Sequence, residues 1–380
     1  MKNLLIILFA AIISFYFFLE IPSKKEKEIL MRKTISFSFV GDLMCHAPQF
    51  ESARVSQDSF DFNPVYSEIK EILSKSDYTI GNLETVIGGR EMRYSGYPMF
   101  NTPEEYIRAL KNAGFDILVT SNNHSLDRGI KGVFNTIDNL KKYDLLSFGT
   151  YKTEKDSDSI LIVEKNGIKI ALLAYTYGLN GNNLSKDYQY SVKQIDTLQI
   201  KKEILKAKGT NVDLIITYFH FGEEYQREPN NFQKDIVART IKYGADLIIA
   251  SHPHVIQTIE LFENEKSKLD QGFVAYSLGN FFSNQRWRYS NCGVVLNFTI
   301  EKINNKLVLD TVSSEPVWVS KENVKGKYEY KLIPSDTVKY KNFRKLNKIE
   351  KNKLVQSYYD TKNILRKVES FKRKSSRHIN

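Results

Sequence analysis

The chain has 380 residues, 42% of them hydrophobic, which is enough to bury one large core or a core plus an appendage. It has only two cysteines, Cys45 and Cys292, which excludes a fold held together by a network of disulfides. The net charge of +11 arises entirely after residue 338, where 14 Lys and Arg residues stand against three acids, so the rest of the chain is not a basic protein.

The chain begins with an apolar segment that predicts a membrane anchor over residues 1–22. Residues Leu4–Leu19 are almost wholly apolar, slightly short of the ~20 residues of a comfortable span and within the range of a signal sequence. No small-x-small cleavage site follows, which favours an uncleaved signal anchor over a cleaved peptide. We expect a single-pass cell-membrane protein with its main domain outside the cytoplasm, although lysines in the charged linker at 23–33 oppose the positive-inside rule.

The region 34–338 predicts one domain in which strands and helices alternate. The alternation of Thr34–Val40 is typical of a strand. Further strands are predicted at Tyr78–Ile80, Ile117–Thr120, Leu145–Phe148, Ile160–Glu164, Ile168–Tyr175, Leu214–Phe219, Leu247–Ala250, Phe273–Ser277, Val294–Ile300 and Lys306–Val312. Helices are predicted at Tyr66–Ser74, Pro103–Ala113, Val133–Lys142, Ile195–Lys206 and Phe232–Tyr243. Asn166-Gly167 and Asn304-Asn305 predict hairpins, and the whole order indicates an α/β or α+β fold with mixed sheets flanked by helices.

The last part of the chain, residues 339–380, predicts a basic helical tail. Apolar residues recur there at helical spacing, at Phe343, Leu346 and Ile349 and again at Ile364, Leu365, Val368 and Phe371. Such a stripe more often docks on its own domain than on a membrane. A basic end attracts polyanions or an anionic membrane surface, and the alternative is a solvated tail without a partner. No nucleic-acid-binding motif accompanies the basic residues, so we expect no nucleic-acid partner.

Polar clusters follow the predicted strands, and they contain five of the six histidines: His46, His124, His220, His252 and His254. One further cluster without histidine, Gly81–Thr85, follows Tyr78–Ile80. In open α/β sheets, side chains just past the carboxyl ends of strands converge on one crevice. Imidazole, carboxylate and amide oxygen together are the ligands of hard-to-borderline divalent metals. The pattern therefore predicts a metal site at the strand ends.

The clusters contain the ligand types that a pair of cations requires. Two divalent cations held ~3.5–4 Å apart need a bridging carboxylate and neutral donors. The carboxylates are Asp42 and Glu84, and the neutral donors are Asn123, His220, His252 and His254. Since side chains repeat every two residues in extended backbone, the two histidines around Pro253 are expected to face the same side. Taken singly, each of these residues is more often structural, and the coincidence of the clusters is what favours a metal.

Six short motifs follow one another between about Ser36 and Ser283. They are Val40-Gly-Asp-Leu-Met, Gly81-Asn-Leu-Glu-Thr, Asn122-Asn-His-Ser-Leu-Asp-Arg-Gly, His220-Phe-Gly-Glu-Glu-Tyr, Ser251-His-Pro-His-Val and Tyr276-Ser-Leu-Gly-Asn-Phe-Phe. This set resembles the CapA family of poly-γ-glutamate capsule synthesis, which is related to the calcineurin-like metallophosphatases. The resemblance implies a four-layer αββα sandwich of two mixed sheets with a two-metal centre at the strand ends.

The resemblance also implies a role for each matching residue. It assigns the ligands of two divalent cations, with Asp42 and His254 on the first, Asn123, His220 and His252 on the second, and Glu84 as the bridge. Because His124 directly follows Asn123, its side chain is expected to point away from the metal ligands. It would be the general acid that protonates the leaving group. Mixed nitrogen and oxygen ligands permit Mn, Fe or Zn.

The chain departs from the metallophosphatase pattern at two positions. Met44 stands where those proteins have a histidine, which makes His46 a candidate replacement ligand, and Glu84 stands where they usually have an aspartate. Other motif residues are expected to support the ligands or the substrate: Asn82, Glu224, Tyr225, Asn280 and Arg128. Nearby arginines are candidates for pairing with substrate carboxylates or phosphates: Arg90, Arg93, Arg128, Arg227, Arg286 and Arg288.

Two functions of different kinds fit these features. The first is a membrane-anchored metal-dependent hydrolase that cleaves a phosphoester or the γ-glutamyl amide bonds of an anionic polymer such as poly-γ-glutamate. The second is a non-catalytic subunit that binds or exports the polymer, in which the metal is structural. Both would work at the membrane beside other capsule-synthesis membrane subunits.

Overall fold

A computed structural model describes residues 32–265, 267–269, 271–304, 306–338, 340 and 343–369. The predicted anchor at 1–22, all but the end of the linker and the last residues of the tail lie outside this part. Within the described ranges, no helix is both long enough and apolar enough to cross a membrane.

The described residues form sixteen strands and nine α-helices. The strands are β1 (Lys33–Leu43), β2 (Arg54–Ser56), β3 (Ser59–Phe60), β4 (Tyr78–Leu83), β5 (Ile117–Val119), β6 (Leu146–Phe148), β7 (Leu161–Lys165), β8 (Ile168–Thr176), β9 (Leu214–His220), β10 (Leu247–Ser251), β11 (Ile259–Phe262), β12 (Gly272–Ala275), β13 (Asn280–Phe282), β14 (Cys292–Ile303), β15 (Lys306–Val324) and β16 (Lys327–Pro334). The helices are α1 (Ala47–Ala53), α2 (Asn63–Tyr66), α3 (Lys70–Leu73), α4 (Glu105–Ala113), α5 (Gly129–Lys142), α6 (Glu154–Asp158), α7 (Thr197–Gly209), α8 (Asn231–Tyr243) and α9 (Lys348–Glu369).

Two mixed sheets contain nearly all of the strands. The first has the order β16-β15-β14-β1-β4-β5-β6, and β13 pairs in parallel with the end of β1. The second has the order β11-β12-β10-β9-β8-β7. Strands β1, β4, β5 and β6 run parallel in the first sheet, and β8, β9, β10 and β12 run parallel in the second. Parallel strands end at one edge of their sheet, which places the residues that follow them together.

The space between the sheets is filled by large apolar side chains. Phe37 and Phe39 of β1 stack on Phe298 of β14 at ring-centroid distances of 5.3 and 5.9 Å. Phe273 of the second sheet meets Phe298 edge-on at 5.3 Å. All four rings are buried, and burying such a ring contributes about 1.5–3 kcal/mol. This core joins the sheets face to face.

Helices cover the outer face of each sheet. Phe50 of α1, Tyr66 of α2 and Leu110 of α4 belong to the core on the outer side of the first sheet. Ile204 of α7 and Ile236 of α8 belong to the corresponding core on the second sheet. The order of layers is therefore helix, sheet, sheet, helix, and the predicted four-layer αββα sandwich is confirmed.

Local sequence signals explain several of the element boundaries. Asn166 and Gly167 have φ of +53° and +74° and join antiparallel β7 and β8, so the predicted hairpin is confirmed. The side chain of Asp196 accepts the N–H groups of the first turn of α7. Asn230 and Gln233 form a capping box at the start of α8.

Some elements differ from the sequence prediction. The helix predicted over Tyr66–Ser74 is divided into the single turns α2 and α3, because the chain bends at Ile69 with φ −117° and ψ −5°. This bend lets Tyr66, Ile69 and Leu73 all reach the outer core of the first sheet. Helix α1 and strands β11, β13 and β16 are additional to the predicted elements.

The C-terminal helix α9 packs on the domain. Its residues Leu354 and Leu365 are buried and belong to the core that separates the two sheets. Ser357 hydrogen-bonds Ser335 at 2.9 Å, and Asp360 accepts a bidentate ion pair from Arg288 at 2.8 and 2.9 Å. The helical part of the basic tail is thus fastened to the sandwich by both apolar and polar contacts.

Candidate metal centre

The strand ends of both sheets bring the predicted ligands together. Asp42 is the penultimate residue of β1, and Glu84 and Asn123 follow β4 and β5 of the first sheet. The second sheet contributes three imidazoles, with His220 at the end of β9 and His252 and His254 after β10. All of these side chains are buried.

Gly41 allows the backbone of β1 to approach the segment before β13. The N–H of Asp42 donates to the carbonyl oxygen of Gly279 at 3.0 Å. A Cβ atom at position 41 would overlap this oxygen. Only glycine permits this approach, which explains why the aspartate directly follows a glycine.

Asp42, Glu84 and His254 form one group of candidate ligands, whose donor atoms all lie within 4.8 Å of one another. His254 Nδ1 lies 3.0 Å from Asp42 Oδ2, and His254 Nε2 lies 3.8 Å from Glu84 Oε1. Neighbouring ligands of one cation are about 3.0–3.5 Å apart when the bonds are about 2.0–2.2 Å long. Each separation by itself is close to that of two donors on one cation; the two distances involve different nitrogens of His254, of which one would bind a given metal ion.

Glu84, His220 and His252 form a second group within the same limit. His220 Nε2 lies 3.5 Å from Glu84 Oε1 and 2.8 Å from Asn123 Oδ1. Asn123 thus adds a fourth donor beside this group. Because Glu84 belongs to both groups, the arrangement has two adjacent ligand sets that share one carboxylate.

Glu84 is the residue whose surroundings most clearly require a cation. Both of its carboxylate oxygens are buried without a hydrogen-bond partner in the described part of the chain. Burial and the neighbouring Asp42 raise the pKa of Glu84 well above its ordinary range. An unsatisfied buried polar group costs about 1–3 kcal/mol, and more when it is charged. A bound cation would remove this cost, so the donor set fits divalent metal ions.

Asn82 connects the two groups through hydrogen bonds. Its amide donates to Asp42 Oδ1 at 2.8 Å and lies 3.1 Å from His220 Nδ1, and Asn122 in turn donates to Asn82 Oδ1 at 3.2 Å. Burial alone would raise the pKa of Asp42, but hydrogen bonds from His254 and Asn82 outweigh it and lower this pKa below its ordinary value. Burial also lowers the pKa of His220, which favours the neutral imidazole that binds metals.

The backbone around Pro253 differs from the expected extended conformation, so that expectation is wrong. His252 and His254 have φ of +107° and +57°, in the left-handed region. Non-glycine residues adopt such conformations at a cost of about 1–3 kcal/mol. The resulting turn holds the two rings 5.8 Å apart at 60°. It lets His252 join Glu84 and His220 while His254 joins Asp42.

His124 lies beside the ligands and is held by Asp127. His124 Nδ1 lies 2.8 Å from Asp127 Oδ2, which also accepts the backbone N–H of Phe100 at 2.7 Å. The ring of Phe100 meets the imidazole edge-on at 4.7 Å. Both His124 and Asp127 are buried. The carboxylate therefore fixes the orientation of the imidazole and favours a proton on Nδ1.

His46 belongs to none of the candidate ligand groups found among the described residues. Its Nδ1 accepts the backbone N–H of Asn284 at 3.3 Å, and its ring meets Phe100 edge-on at 5.2 Å. Burial lowers the pKa of His46 to about 4, so the imidazole is neutral. His46 also serves as the N-cap residue of α1.

The other predicted supporting residues lie around the same centre. A carboxylate oxygen of Glu224 lies within 4.8 Å of ring nitrogens of His252 and His254, and the ring of Tyr225 lies 6.1 Å from that of His254. Asn280 instead donates to Gln285 and to the carbonyl of Ser290, both at 2.8 Å. It therefore holds the loop after β13 rather than an imidazole.

Most of the candidate substrate-binding arginines make contacts within the protein. Arg90 forms an ion pair with Asp58, and Arg288 with the carboxylate of Asp360. Arg128 donates to Ser95 and the Met99 carbonyl, Arg286 to the Val319 carbonyl, and Arg227 to the backbone carbonyl of Asp360. Arg93 is exposed in the loop before Phe100. The other five arginines therefore hold neighbouring parts of the domain together, and their pairing with substrate stays a prediction.

Sequence reasoning missed three residues at the site. Asp127 was within a quoted motif, and its spacing of three from His124 was a usable signal. Tyr177 and Asn180 follow β8, another strand that ends in polar residues. The ring of Tyr177 lies 4.5 Å from that of His252, and Asn180 Oδ1 accepts a hydrogen bond from Asn123 at 3.0 Å. This strand end carries no histidine, so it lacks the feature that marks most of the other clusters.

The fold and the site define a class of protein: a four-layer αββα sandwich with a candidate centre for divalent metal ions at its strand ends. Residues 36–285 match the family described as bacterial capsule synthesis protein PGA_cap. The chain belongs to this family, and the resemblance predicted from the six motifs is confirmed.

Two relatives extend this similarity beyond the family match. The capsule biosynthesis protein CapA of Bacillus anthracis is 30% identical over 287 residues, which cover 73% of this chain and 66% of that protein, just under two thirds of its length. The PGA biosynthesis protein CapA of Bacillus subtilis (strain 168) is 26% identical over 310 residues, which cover 80% and 78%. A solved structure, the calcineurin-like phosphoesterase YfkN from Bacillus subtilis, is similar with a TM-score of 0.44 at 16% identity, covering 88% of this chain and 99% of that chain.

Proposed function

We propose that this protein is a membrane-anchored, dinuclear-metal-dependent hydrolase that acts outside the cytoplasm in the synthesis or export of poly-γ-glutamate or a related capsule polymer. The single observation that carries the proposal is Glu84, whose two buried oxygens have no hydrogen-bond partner among the described residues and which belongs to two ligand groups. The family and the two CapA relatives support the capsule setting. The substrate is a phosphoester or a γ-glutamyl amide.

The reaction would divide its work between the cations and the surrounding side chains. Bound divalent cations would supply a nucleophile from water and stabilise the negative charge that develops at the scissile group. His124, oriented by Asp127, would deliver a proton to the leaving oxygen or nitrogen. Asp127 would support the imidazolium between turnovers, because its carboxylate faces Nδ1. Asn82 would keep Asp42 ionised by donating to it.

Activity and metal content are measured on the same preparations. Elemental analysis of the purified protein identifies the cations, and a panel of phosphodiester and γ-glutamyl substrates identifies the reaction. His124→Ala should lower turnover by about 10²–10⁴-fold with unchanged metal content, since general acid catalysis contributes about that much. His378→Ala, which changes the sixth histidine, is the matched control. Loss of metal in His124→Ala would contradict its assigned role.

The anchor and the external location are tested on intact cells. A single cysteine introduced at exposed Lys201 should react with a membrane-impermeant maleimide before the cells are lysed. The protein should also remain in the membrane fraction after high-salt washing, because the apolar segment Leu4–Leu19 would hold it there. Labelling only after lysis would refute the external location.

A second function is a polymer-binding or export subunit in which the metal is structural. The observation that favours it is a set of exposed cations on the docked helix α9: Lys348, Lys353 and Arg366. Changing all three to glutamate should weaken binding of poly-γ-glutamate, with strong dependence on salt. The same change at exposed residues of α7, Lys201, Lys202 and Lys208, is the control. Deleting the helix would be uninformative because Leu354 and Leu365 are buried in the core.

These two functions make opposite predictions for the metal-free protein. A hydrolase loses its activity with its metal. A scaffold whose metal is structural retains polymer binding after chelation, and its Glu84→Gln variant still restores capsule to a strain that lacks the protein. Complementation by Glu84→Gln would therefore favour the scaffold.

A further inference from the structure

We propose that Glu224 is a further ligand of the metal centre and closes it on the side that faces solvent. This inference rests on the metal centre proposed above and adds a residue from outside the buried ligand set. Glu224 is exposed in the loop between β9 and α8, whereas the other candidate ligands are buried.

The position of Glu224 relates it to both ligand groups. One of its carboxylate oxygens lies within 4.8 Å of ring nitrogens of His252 and His254. His252 belongs to the group with His220, and His254 belongs to the group with Asp42. Two ligands of one cation are about 3.0–3.5 Å apart when adjacent and about 4.0–4.4 Å apart when opposite. A separation of at most 4.8 Å is comparable with the larger of these values, so the carboxylate of Glu224 is within reach of a coordination sphere that contains either imidazole.

An unpartnered nitrogen supports a ligand role independently of that distance. His252 Nδ1 is buried and has no hydrogen-bond partner in the described part of the chain. A carboxylate whose task was to orient this ring would accept a hydrogen bond from one of its N–H groups. This nitrogen instead has no hydrogen-bond partner among the described residues, and ring nitrogens of His252 lie within 4.8 Å of carboxylate oxygens of Glu224 and of Glu84.

The numbers of donors and charges in the two groups are unequal without Glu224. Glu84, His220 and His252 are joined by Asn123, whose Oδ1 lies 2.8 Å from His220 Nε2, which makes four donors. Asp42, Glu84 and His254 provide three donors. Two divalent cations would also meet only two buried carboxylates. Glu224 would add the missing donor and a third negative charge.

The loop that carries Glu224 is fastened to the turn that carries the imidazoles. The N–H of Tyr225 donates to the carbonyl oxygen of Pro253, which lies between the two histidines, at 2.7 Å. Tyr225 has φ of +66°, and its ring meets Trp287 at 5.0 Å. A left-handed conformation at a non-glycine residue persists where its surroundings hold it. These contacts fix the backbone next to Glu224 beside the metal centre.

The test compares Glu224→Gln with Glu223→Gln in the full chain. Glu223 is the exposed neighbour in the same loop and belongs to none of the ligand groups among the described residues, so it is a matched control. Titration of the metal-free protein with Mn²⁺ or Zn²⁺ gives affinity, and the visible absorption of the Co²⁺ form reports the number of ligands. We expect Glu224→Gln to bind Mn²⁺ or Zn²⁺ at least about tenfold more weakly than the wild-type protein and to change the Co²⁺ spectrum. Glu223→Gln should match the wild-type protein in both measurements.

The outcomes separate this inference from the proposed function. Unchanged affinity in Glu224→Gln would overturn the inference and leave the metal centre intact. Weaker binding with an unchanged Co²⁺ spectrum would also overturn it, because that result describes a residue that only orients the histidines. If the unchanged protein binds none of these metals, the centre and the inference both fail. Since Glu224 is exposed, far-UV circular dichroism should show the same fold in all forms.

Discussion

Replacing Glu84 with glutamine should change stability in opposite directions with and without metal. In the metal-free protein, Glu84 is fully buried, neither oxygen has a hydrogen-bond partner in the described ranges, and Asp42 is a neighbouring acid. Because the pKa of Glu84 is raised, folding at neutral pH must either protonate this acid or bury its charge, and glutamine has neither cost. Since each pKa unit corresponds to about 1.4 kcal/mol, the replacement should stabilise the fold by about 1–3 kcal/mol. With an unfolding entropy of about 2.1 cal/mol/K per residue, about 1 kcal/mol shifts the Tm of a domain of roughly 300 residues by about 1.5 °C. Glu84→Gln should therefore melt about 1–5 °C higher than the wild-type protein in the presence of a chelator.

Added metal should reverse this order. A ligand at about 100 times its Kd stabilises the folded state by about 2.7 kcal/mol, and Glu84→Gln loses the carboxylate that both ligand groups share. Thermal unfolding with EDTA and with Mn²⁺ or Zn²⁺ measures both effects. Glu203→Gln is the control, because Glu203 is a buried glutamate that pairs with Lys193 and Tyr175. A lower metal-free Tm for Glu84→Gln, together with an undiminished rise on adding metal, would refute the argument.

Three further changes test other parts of the structure. Asp127→Asn should lower turnover by about 10²-fold or more at constant metal content, because it removes the carboxylate that faces His124, and unchanged steady-state rates would contradict this. Gly41→Ala should lower both the Tm and the metal content, since the new Cβ would overlap the Gly279 carbonyl; a protein with unchanged melting and metal content would show that the strand can shift freely. Burial raises the pKa of Asp246 from its ordinary 3.8 to about 6, so this acid makes the folded state less stable as the pH rises from about 4 to about 6, by up to about 3 kcal/mol. In Asp246→Asn, the free energy of unfolding should no longer fall over this range. Urea unfolding between pH 4 and pH 7 measures it, and a fall as large as in the wild-type protein would contradict the assignment.

Periodicity predicted most strands of the sandwich because strands buried on both faces are continuous apolar runs, as in Leu214–Phe219 and Leu247–Ala250. Strand β13 escaped prediction for a physical reason. It has three residues, and its pairing with β1 involves only Asp42 and Leu43, so it is too short to show a period. Helix α1 is also short, and its first turn depends on His46 as N-cap.

The types of ligand were readable from the sequence, but their directions were not. Parallel strands end at one edge, so a polar cluster after each strand was sufficient to predict which residues gather. The alternation of side chains in an extended chain carries no information on the sign of φ. The left-handed conformations of His252 and His254 therefore could not be predicted from the sequence. The bond from Phe100 N–H to Asp127 joins residues 27 positions apart, which no local pattern encodes.

The candidate ligands come from two separately paired sheets, with Asp42, Glu84 and Asn123 on one side and the imidazoles on the other. Elsewhere the two sheets pack through apolar side chains, which need no bound ion. At the metal end, the carboxylates of one sheet face the imidazoles of the other across the same interface. A cation there would cross-link the two sheets. Its loss would leave the apolar part of the interface packed and would weaken the contact between the sheets at the metal end. Unfolding of the sandwich should therefore start at the metal end, so that scarcity of metal would weaken the fold itself and not only the chemistry proposed for the site.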